Sequence, residues 1–265
     1  MEEHCRAVLA GNKEVIKTSL LDETFLVVDT ETTGVNPQTD KIVEIAAVLM
    51  RKGKVERTWE SLVNPGMPIP AEASGIHHLT DDDVAGSPSL EEISEHLQDF
   101  ASDASVIAAH NADFDRPFLP TVFTQPWLCT CRLSKHVWPS VPNFKNQTLR
   151  YWLNLKVDLN GKSPHRALPD ALVTAGVLGA GIDTYLKNGG KDNVVDLMDY
   201  VNAPITIQKM TFGKYFGQLI SEVATIDAEY LEWALSDGAY DSVKKKLMED
   251  PDLKWSLERN LLSRK

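Results

Sequence analysis

Apolar residues recur along this chain in two rhythms. Short β-branched runs come first, at residues 25–29 (FLVVD), 42–50 and 55–63, and read as strands. Lys52-Gly53 between the second and third makes a hairpin turn, and Asn64-Pro65-Gly66 breaks the pattern. Residues 89–100 then place Leu90, Ile93, Leu97 and Phe100 at helical spacing. Ser89 and Glu92 have the spacing of a capping box at that helix's start. Further strands are expected at 105–109 and 127–130, and helices at 114–123, 148–155 and the Ala/Leu/Val-rich 171–180. Three strands followed by alternating strands and helices predict an α/β domain, with an antiparallel hairpin joined to parallel strands in a mixed sheet.

Four segments follow from this pattern. Residues 1–22 read as an N-terminal tail, 23–187 as the main domain, 188–207 as a linker and 208–265 as a small C-terminal domain. The linker carries Asn188-Gly189-Gly190 and Ala203-Pro204, with room for a short helix at 194–200. In the last segment, residues 211–217 (TFGKYFG) suggest a tight glycine-containing hairpin. Ile220, Val223, Tyr230, Trp233 and Ala234 then fit one or two amphipathic helices.

Composition narrows the class. A chain of 265 residues that is 43% hydrophobic can bury a sizeable core. No apolar run approaches the roughly 18–20 residues that span a bilayer, and residues 1–20 lack a signal-peptide core, so no membrane partner and a cytoplasmic setting are expected. Cys5, Cys129 and Cys131 are odd in number, and Cys129-Thr130-Cys131 is one residue short of zinc-site spacing; reduced thiols are expected. The net charge of −11 argues against nucleic acid as a partner until its distribution is considered. Arg116, Arg132, Lys135, Lys145, Arg150, Lys156, Lys162 and Arg166 share their stretch with one acid, Asp158. Such a face either attracts a polyanion or is simply solvated, and charge alone does not choose.

Three acidic motifs carry chemistry. Asp29 and Glu31 end the first strand, and residues two apart point to one face. Adjacent carboxylates repel unless a cation sits between them, and hard oxygen donors suit Mg²⁺ or Mn²⁺. The stretch 109–115 (AHNADFD) follows another strand, so it opens at the same sheet edge, where α/β folds collect ligands. It offers both Asp113 and Asp115, and spacing does not choose between them. The third motif is His165-Arg166-Ala167-Leu168-Pro169-Asp170. Pro169 suits a first helical turn, which places Asp170 where a helix stabilises negative charge.

D-x-E, H-N-A-x-F-D and H-x-A-x-x-D in this order resemble the DnaQ-like exonucleases of the branch named for four acids and a histidine. The resemblance spans residues 25–183 and extends to Gly75-Ile76-His77-His78-Leu79-Thr80 and Trp127-Leu128-Cys129-Thr130. The C-terminal Phe212-Gly213-Lys214 and Tyr230-Leu231-Glu232-Trp233 resemble the tail of bacterial exonuclease X. The resemblance implies a ribonuclease H-like, mixed five-stranded sheet flanked by helices, with residues 23–187 as the exonuclease domain. It implies a 3′→5′ exonuclease that releases 5′-mononucleotides from a nucleic acid with a free 3′ end, with single-stranded DNA favoured.

It further implies catalytic roles for Asp29, Glu31, Asp115, His165 and Asp170. Asp29, Glu31 and Asp170 would hold one Mg²⁺, and Asp29 and Asp115 a second, with Mn²⁺ able to substitute. Two such ions roughly 3.5–4 Å apart clamp the attacking and leaving oxygens. His165 would deprotonate the attacking water, since a histidine side chain titrates near neutrality. Substrate contacts are expected from Thr32, Thr33, Gly34, His110, Asn111, Lys145 and Arg150. For residues 32–34 a strand-ending turn is the competing reading, and for His110 and Asn111 a helix-entry turn. His77 and His78 are further candidates to approach the 3′ nucleotide, whereas Phe114 and Trp152 fit the core. Lys214 between glycines would either meet phosphate or belong to a satellite cluster with Phe212, Tyr230 and Trp233.

Two rival functions remain. An RNA 3′ exonuclease or oligoribonuclease-like trimmer would use the same five residues, and a 2′-hydroxyl-dependent rate would mark it. A non-catalytic nucleic-acid-binding module would be expected to have lost one of the five. A replication or repair partner fits the family, yet no clamp-binding or polymerase-binding segment stands out, and the pattern does not give the oligomeric state.

Overall fold

The computed structural model describes residues 19–159 and 165–263. Most of the expected tail, Cys5 and Lys162 lie outside the described residues. Among the described residues the five strands are β1 (Thr24–Thr32), β2 (Ile42–Arg51), β3 (Lys54–Leu62), β4 (Val106–Ala109) and β5 (Trp127–Cys129). Their order is β3-β2-β1-β4-β5, antiparallel between β1, β2 and β3 and parallel from β1 to β4 to β5. The mixed sheet expected from the sequence is therefore present.

Both faces of this sheet are covered, which is why its inner strands read as continuous apolar runs. Phe25, Val27, Ala46 and Val48 pack on one face; Leu26, Val28, Ile45 and Leu49 pack on the other. Edge strand β3 is mostly exposed and carries Lys54, Glu56, Arg57 and Glu60, charges that discourage further strand pairing.

Helices α1 (Ala71–His77), α2 (Asp81–Val84) and α3 (Leu90–Phe100) follow the hairpin. The capping box at α3 forms as expected: Ser89 N–H donates to Glu92 at 2.7 Å, and Glu92 N–H donates to Ser89 Oγ at 3.3 Å. Helices α1 and α2 were not anticipated, because seven- and four-residue helices are too short to display a period.

The helix expected at 114–123 is corrected. Only α4 (Ala112–Asp115) and a 3₁₀ turn at Arg116–Phe118 form. Pro117 and Pro120 remove two backbone donors and stop propagation. Helices α5 (Thr130–Val137), α6 (Asn146–Trp152) and α7 (Ala167–Lys187) come next. Trp152 is 45% exposed rather than core: α6 ends there, and Leu149 and Leu153 pack into the core instead. The 21-residue α7 is apolar on nearly every side and lies buried on the β1–β2 face.

The stretch expected to be a linker is helical over α8 (Val194–Asn202), whose Leu197, Met198 and Val201 enter the main core. The first compact unit accordingly runs through Val201. Leu20 joins the same core, and its N–H donates to Asp192 at 2.8 Å.

The second unit, Asn202–Lys265, has its own core and four helices among its described residues: α9 (Ile220–Ile226), α10 (Ala228–Leu235), α11 (Asp241–Glu249) and α12 (Pro251–Leu262). In place of a full hairpin there is a 3₁₀ turn at Gly213–Tyr215 and a single antiparallel bridge, Lys209↔Leu219. Lys214 Nζ lies 2.8 Å from Asp227 and over the rings of Tyr215 and Tyr230. Its charge serves this satellite cluster. Gly213 has φ 69°, and a Cβ there would collide with the Tyr230 hydroxyl. Gly213→Ala is expected to destabilise this unit by about 2 kcal/mol, from left-handed strain and the clash. Thermal unfolding of the variant beside wild type, followed by calorimetry, checks it.

Candidate active site

The candidate carboxylates meet at the carboxyl ends of β1 and β4. Strand alternation places Asp29 and Glu31 on the face that α7 covers, in phase with Phe25 and Val27. The parallel ladder between β1 and β4 ends at Val27↔Ala108. Beyond it, Thr30 donates to Asp115 Oδ1 from its N–H at 3.1 Å and from its hydroxyl at 2.8 Å. Asp115 is 3% exposed, whereas the Asp113 side chain is 81% exposed and lies 3.6 Å from Arg116. The structure thus separates two acids that spacing left equivalent.

Asp170 enters from the first turn of α7. Its Oδ1 accepts from Gln147 Nε2 at 2.7 Å, and its Oδ2 accepts from the His165 N–H at 2.9 Å. Asn146 Nδ2 donates to the Asp170 carbonyl at 2.9 Å. His165 is exposed, with φ 62°, and immediately precedes Arg166 at the helix N-cap.

The cluster has too little positive charge. Burial, then Asp115, Glu31, Asp170 and Glu44 in that order, hold the Asp29 carboxyl well above the usual range. Burial and the charges of Asp170, Glu44 and Asp115 push Glu31 up to about 8, against a smaller lowering by Arg166. Burial pushes Asp115 up to about 7, opposed by the Thr30 hydrogen bonds. Hard carboxylate donors crowded with this much mutual repulsion fit divalent cations. Among the described residues, no three such side chains stand at metal-ligand spacing in this arrangement. The fit therefore rests on donor chemistry and charge.

The sign of the pH dependence follows. Unfolded Asp and Glu titrate near about 3.9 and 4.3, well below the folded values for Glu31 and Asp115. The folded state binds more protons, so metal-free stability is expected to fall as pH rises from about 4 to about 8. Added Mg²⁺ should restore it and release protons at pH 7. Melting temperatures across that range in EDTA and in Mg²⁺ test this; a metal-free melting temperature that rises towards pH 8 would refute it.

Several residues expected to contact substrate also have partners within the fold. Thr32 Oγ1 donates to the Gly34 carbonyl at 2.6 Å, and Thr33 Oγ1 accepts from Lys41 N–H at 3.0 Å, so both hydroxyls close the turn after β1. Gly34 packs against the Asp40 carboxylate, leaving no room for a side chain. His110 is a strut. Its Nε2 lies 2.7 Å from the Phe144 carbonyl, which can only accept, so that nitrogen carries the proton. Nδ1 then accepts from Thr130 Oγ1 at 2.9 Å, and burial lowers the ring's pKa. Asn111 adopts φ 73° at the entry to α4, the turn role. Arg150 lies over Tyr151 and 3.4 Å from the Val157 carbonyl, while Lys145 at the α6 N-cap is exposed. His77 is buried, with Nδ1 accepting from Leu79 N–H, whereas His78 is exposed. Phe114 packs against Phe118 as expected of a core residue.

Sequence reasoning missed Glu44 and Gln147. Glu44 is 2% exposed on β2, directly opposite Glu31 in the ladder. It is the lone acid in the otherwise apolar run of residues 42–50, which was a usable signal. Gln147 had none, because its role depends on where α6 docks.

This sheet order and carboxylate cluster define a DnaQ-like exonuclease fold. The Exonuclease family profile matches residues 26–178, and the Exodeoxyribonuclease X-like C-terminal profile matches residues 210–236. The chain belongs to the exonuclease family. It is 35% identical over 222 residues to exodeoxyribonuclease 10 of Escherichia coli (strain K12), covering 83% of this chain and 94% of that one. Among solved structures it resembles exonuclease X in complex with 5′ overhanging duplex DNA, at 32% identity and TM-score 0.57, covering 67% of this chain and 99% of that one. E. coli exonuclease I in complex with a dT13 oligonucleotide shares the fold at 15% identity and TM-score 0.55, over 67% of this chain and 46% of that one. The family depends on divalent metal. No described helix is long and apolar enough to cross a membrane.

Proposed function

We propose that this chain is a 3′→5′ exodeoxyribonuclease acting on single-stranded DNA ends, with His165 as general base. The convergence of Asp29, Glu31, Asp115, Asp170 and His165 at one sheet edge carries this reading. Two Mg²⁺ ions, replaceable by Mn²⁺, held by the four carboxylates would neutralise their repulsion and polarise the phosphodiester. The protein's own part is orientation. Thr30 fixes one oxygen of Asp115, and Gln147 and the His165 N–H fix both oxygens of Asp170. The exposed His165 ring takes the proton of the attacking water.

The backbone at Gly34, the Asn111 side chain and the cations Lys145 and Arg150 are the proposed strand contacts. Exposed Tyr151 beside Arg150 offers a stacking surface for a base. The free thiols Cys129 and Cys131 fit a reducing cytoplasm, and a repair or replication protein fits as partner. The test is 5′-labelled single-stranded DNA incubated with Mg²⁺ or with EDTA. A ladder shortening from the 3′ end only with metal is expected. Faster loss of matched RNA would move the substrate to RNA, and intact oligonucleotide in both Mg²⁺ and Mn²⁺ would reject the enzyme reading.

A further inference from the structure

Glu44 is engaged on every side without being one of the four carboxylates assigned to metal. Its Oε1 accepts from Arg166 Nη2 at 2.6 Å and Nε at 3.1 Å. Its Oε2 accepts from Arg166 Nε at 3.0 Å and from the Ala167 N–H at 2.9 Å. One buried carboxylate thus grips a guanidinium fork and caps the N-terminus of the 21-residue α7. The location is costly. Glu44 faces Glu31 across the ladder on the same face, where like charges repel. A buried ion pair stabilises a fold no better than a well-packed apolar pair. What distinguishes this pair is the segment it holds.

That segment is His165. On one side its own N–H is bonded to Asp170; on the other, the next two residues are both bonded to Glu44. Between these anchors His165 adopts φ 62°, a conformation that L-residues rarely take. The direction in which the imidazole leaves the chain is therefore set by a side chain on β2, 121 positions earlier in the sequence. We propose that Glu44, acting through Arg166 and the Ala167 amide, is a positioning residue for His165. The inference rests on His165 being the base.

The test is a pair of double-mutant cycles in the full chain. Glu44→Gln removes the charge at constant shape, and Arg166→Lys keeps the charge but loses the fork. Each is made alone and with His165→Ala, and kcat, KM and Mn²⁺ affinity are measured. In the wild-type background each should lower kcat by about 10–100-fold, the usual cost of losing an outer-shell partner. KM should stay within about twofold, as should the Mn²⁺ affinity of Arg166→Lys, which keeps the charges beside the metal ligands. In the His165→Ala background each should cost less than about threefold, because the group being positioned is gone. Equal losses in both backgrounds, or the Mn²⁺ affinity of Arg166→Lys falling with its rate, would overturn the inference and leave His165 as base. Arg166→Lys, altered at a 30%-exposed side chain, still reports if Glu44→Gln does not fold. A His165→Ala enzyme as fast as wild type would remove the base assignment, and the role of Glu44 with it.

Discussion

Replacing Asp115 with Asn should lower the rate of 3′-end hydrolysis by at least about 10³-fold, the scale seen when one member of a concerted catalytic group is removed. Asp115 is 3% exposed, and Thr30 fixes one of its oxygens with two hydrogen bonds. Asn preserves the volume and can accept both bonds, so the fold should survive. Only the negative charge is lost. Because that charge raises the pKa of Asp29 and Glu31, the metal-free variant should melt higher than wild type above pH 7, even as it loses activity. Asp113→Asn is the control. Its carboxylate is exposed beside Arg116, where an ion pair contributes little, and its rate should stay within about threefold of wild type. Single-turnover rates on 5′-labelled DNA decide the matter. A fast Asp115→Asn and a slow Asp113→Asn would reverse the assignment.

His165→Ala should cost about 10²–10³-fold in kcat, within the range for losing a general base. Its effect should differ in kind from that of a carboxylate. The His165 link to Asp170 runs through the backbone N–H, which alanine retains. Asp170 should then keep its orientation, and Mn²⁺ affinity should match wild type. Alanine is no better suited than histidine to φ 62°, so the local strain is comparable. Slow catalysis with unchanged metal binding identifies a proton-transfer group. Metal affinity falling in step with the rate would instead make His165 a ligand.

The acidic motifs stood out because each sits at a local boundary: Asp29 and Glu31 at a strand end, the Asp113/Asp115 pair in the short helix after β4, Asp170 in a helix's first turn. The substrate contacts were less legible. Thr32, Thr33 and His110 have the polar groups expected of nucleotide contacts, but each also has partners within the fold. Sequence shows which groups can form hydrogen bonds, not which are already satisfied. Trp152 was misread for a related reason. Its spacing fits the core, but α6 ends there and leaves the ring 45% exposed.

By itself the sequence determined the strands, the capped helix α3, the mixed sheet and the order of the acidic motifs. All of these depend on periodicity or on neighbours a few residues away, where local sterics and hydrogen bonding dominate. Only the tertiary structure decided that Asp115 rather than Asp113 is buried, that Gln147 holds Asp170, and that Glu44 anchors the start of α7. Those outcomes join residues 23, 85 and 123 positions apart. They are set by how helices dock on a two-sided sheet, and by how much buried charge that docking must compensate.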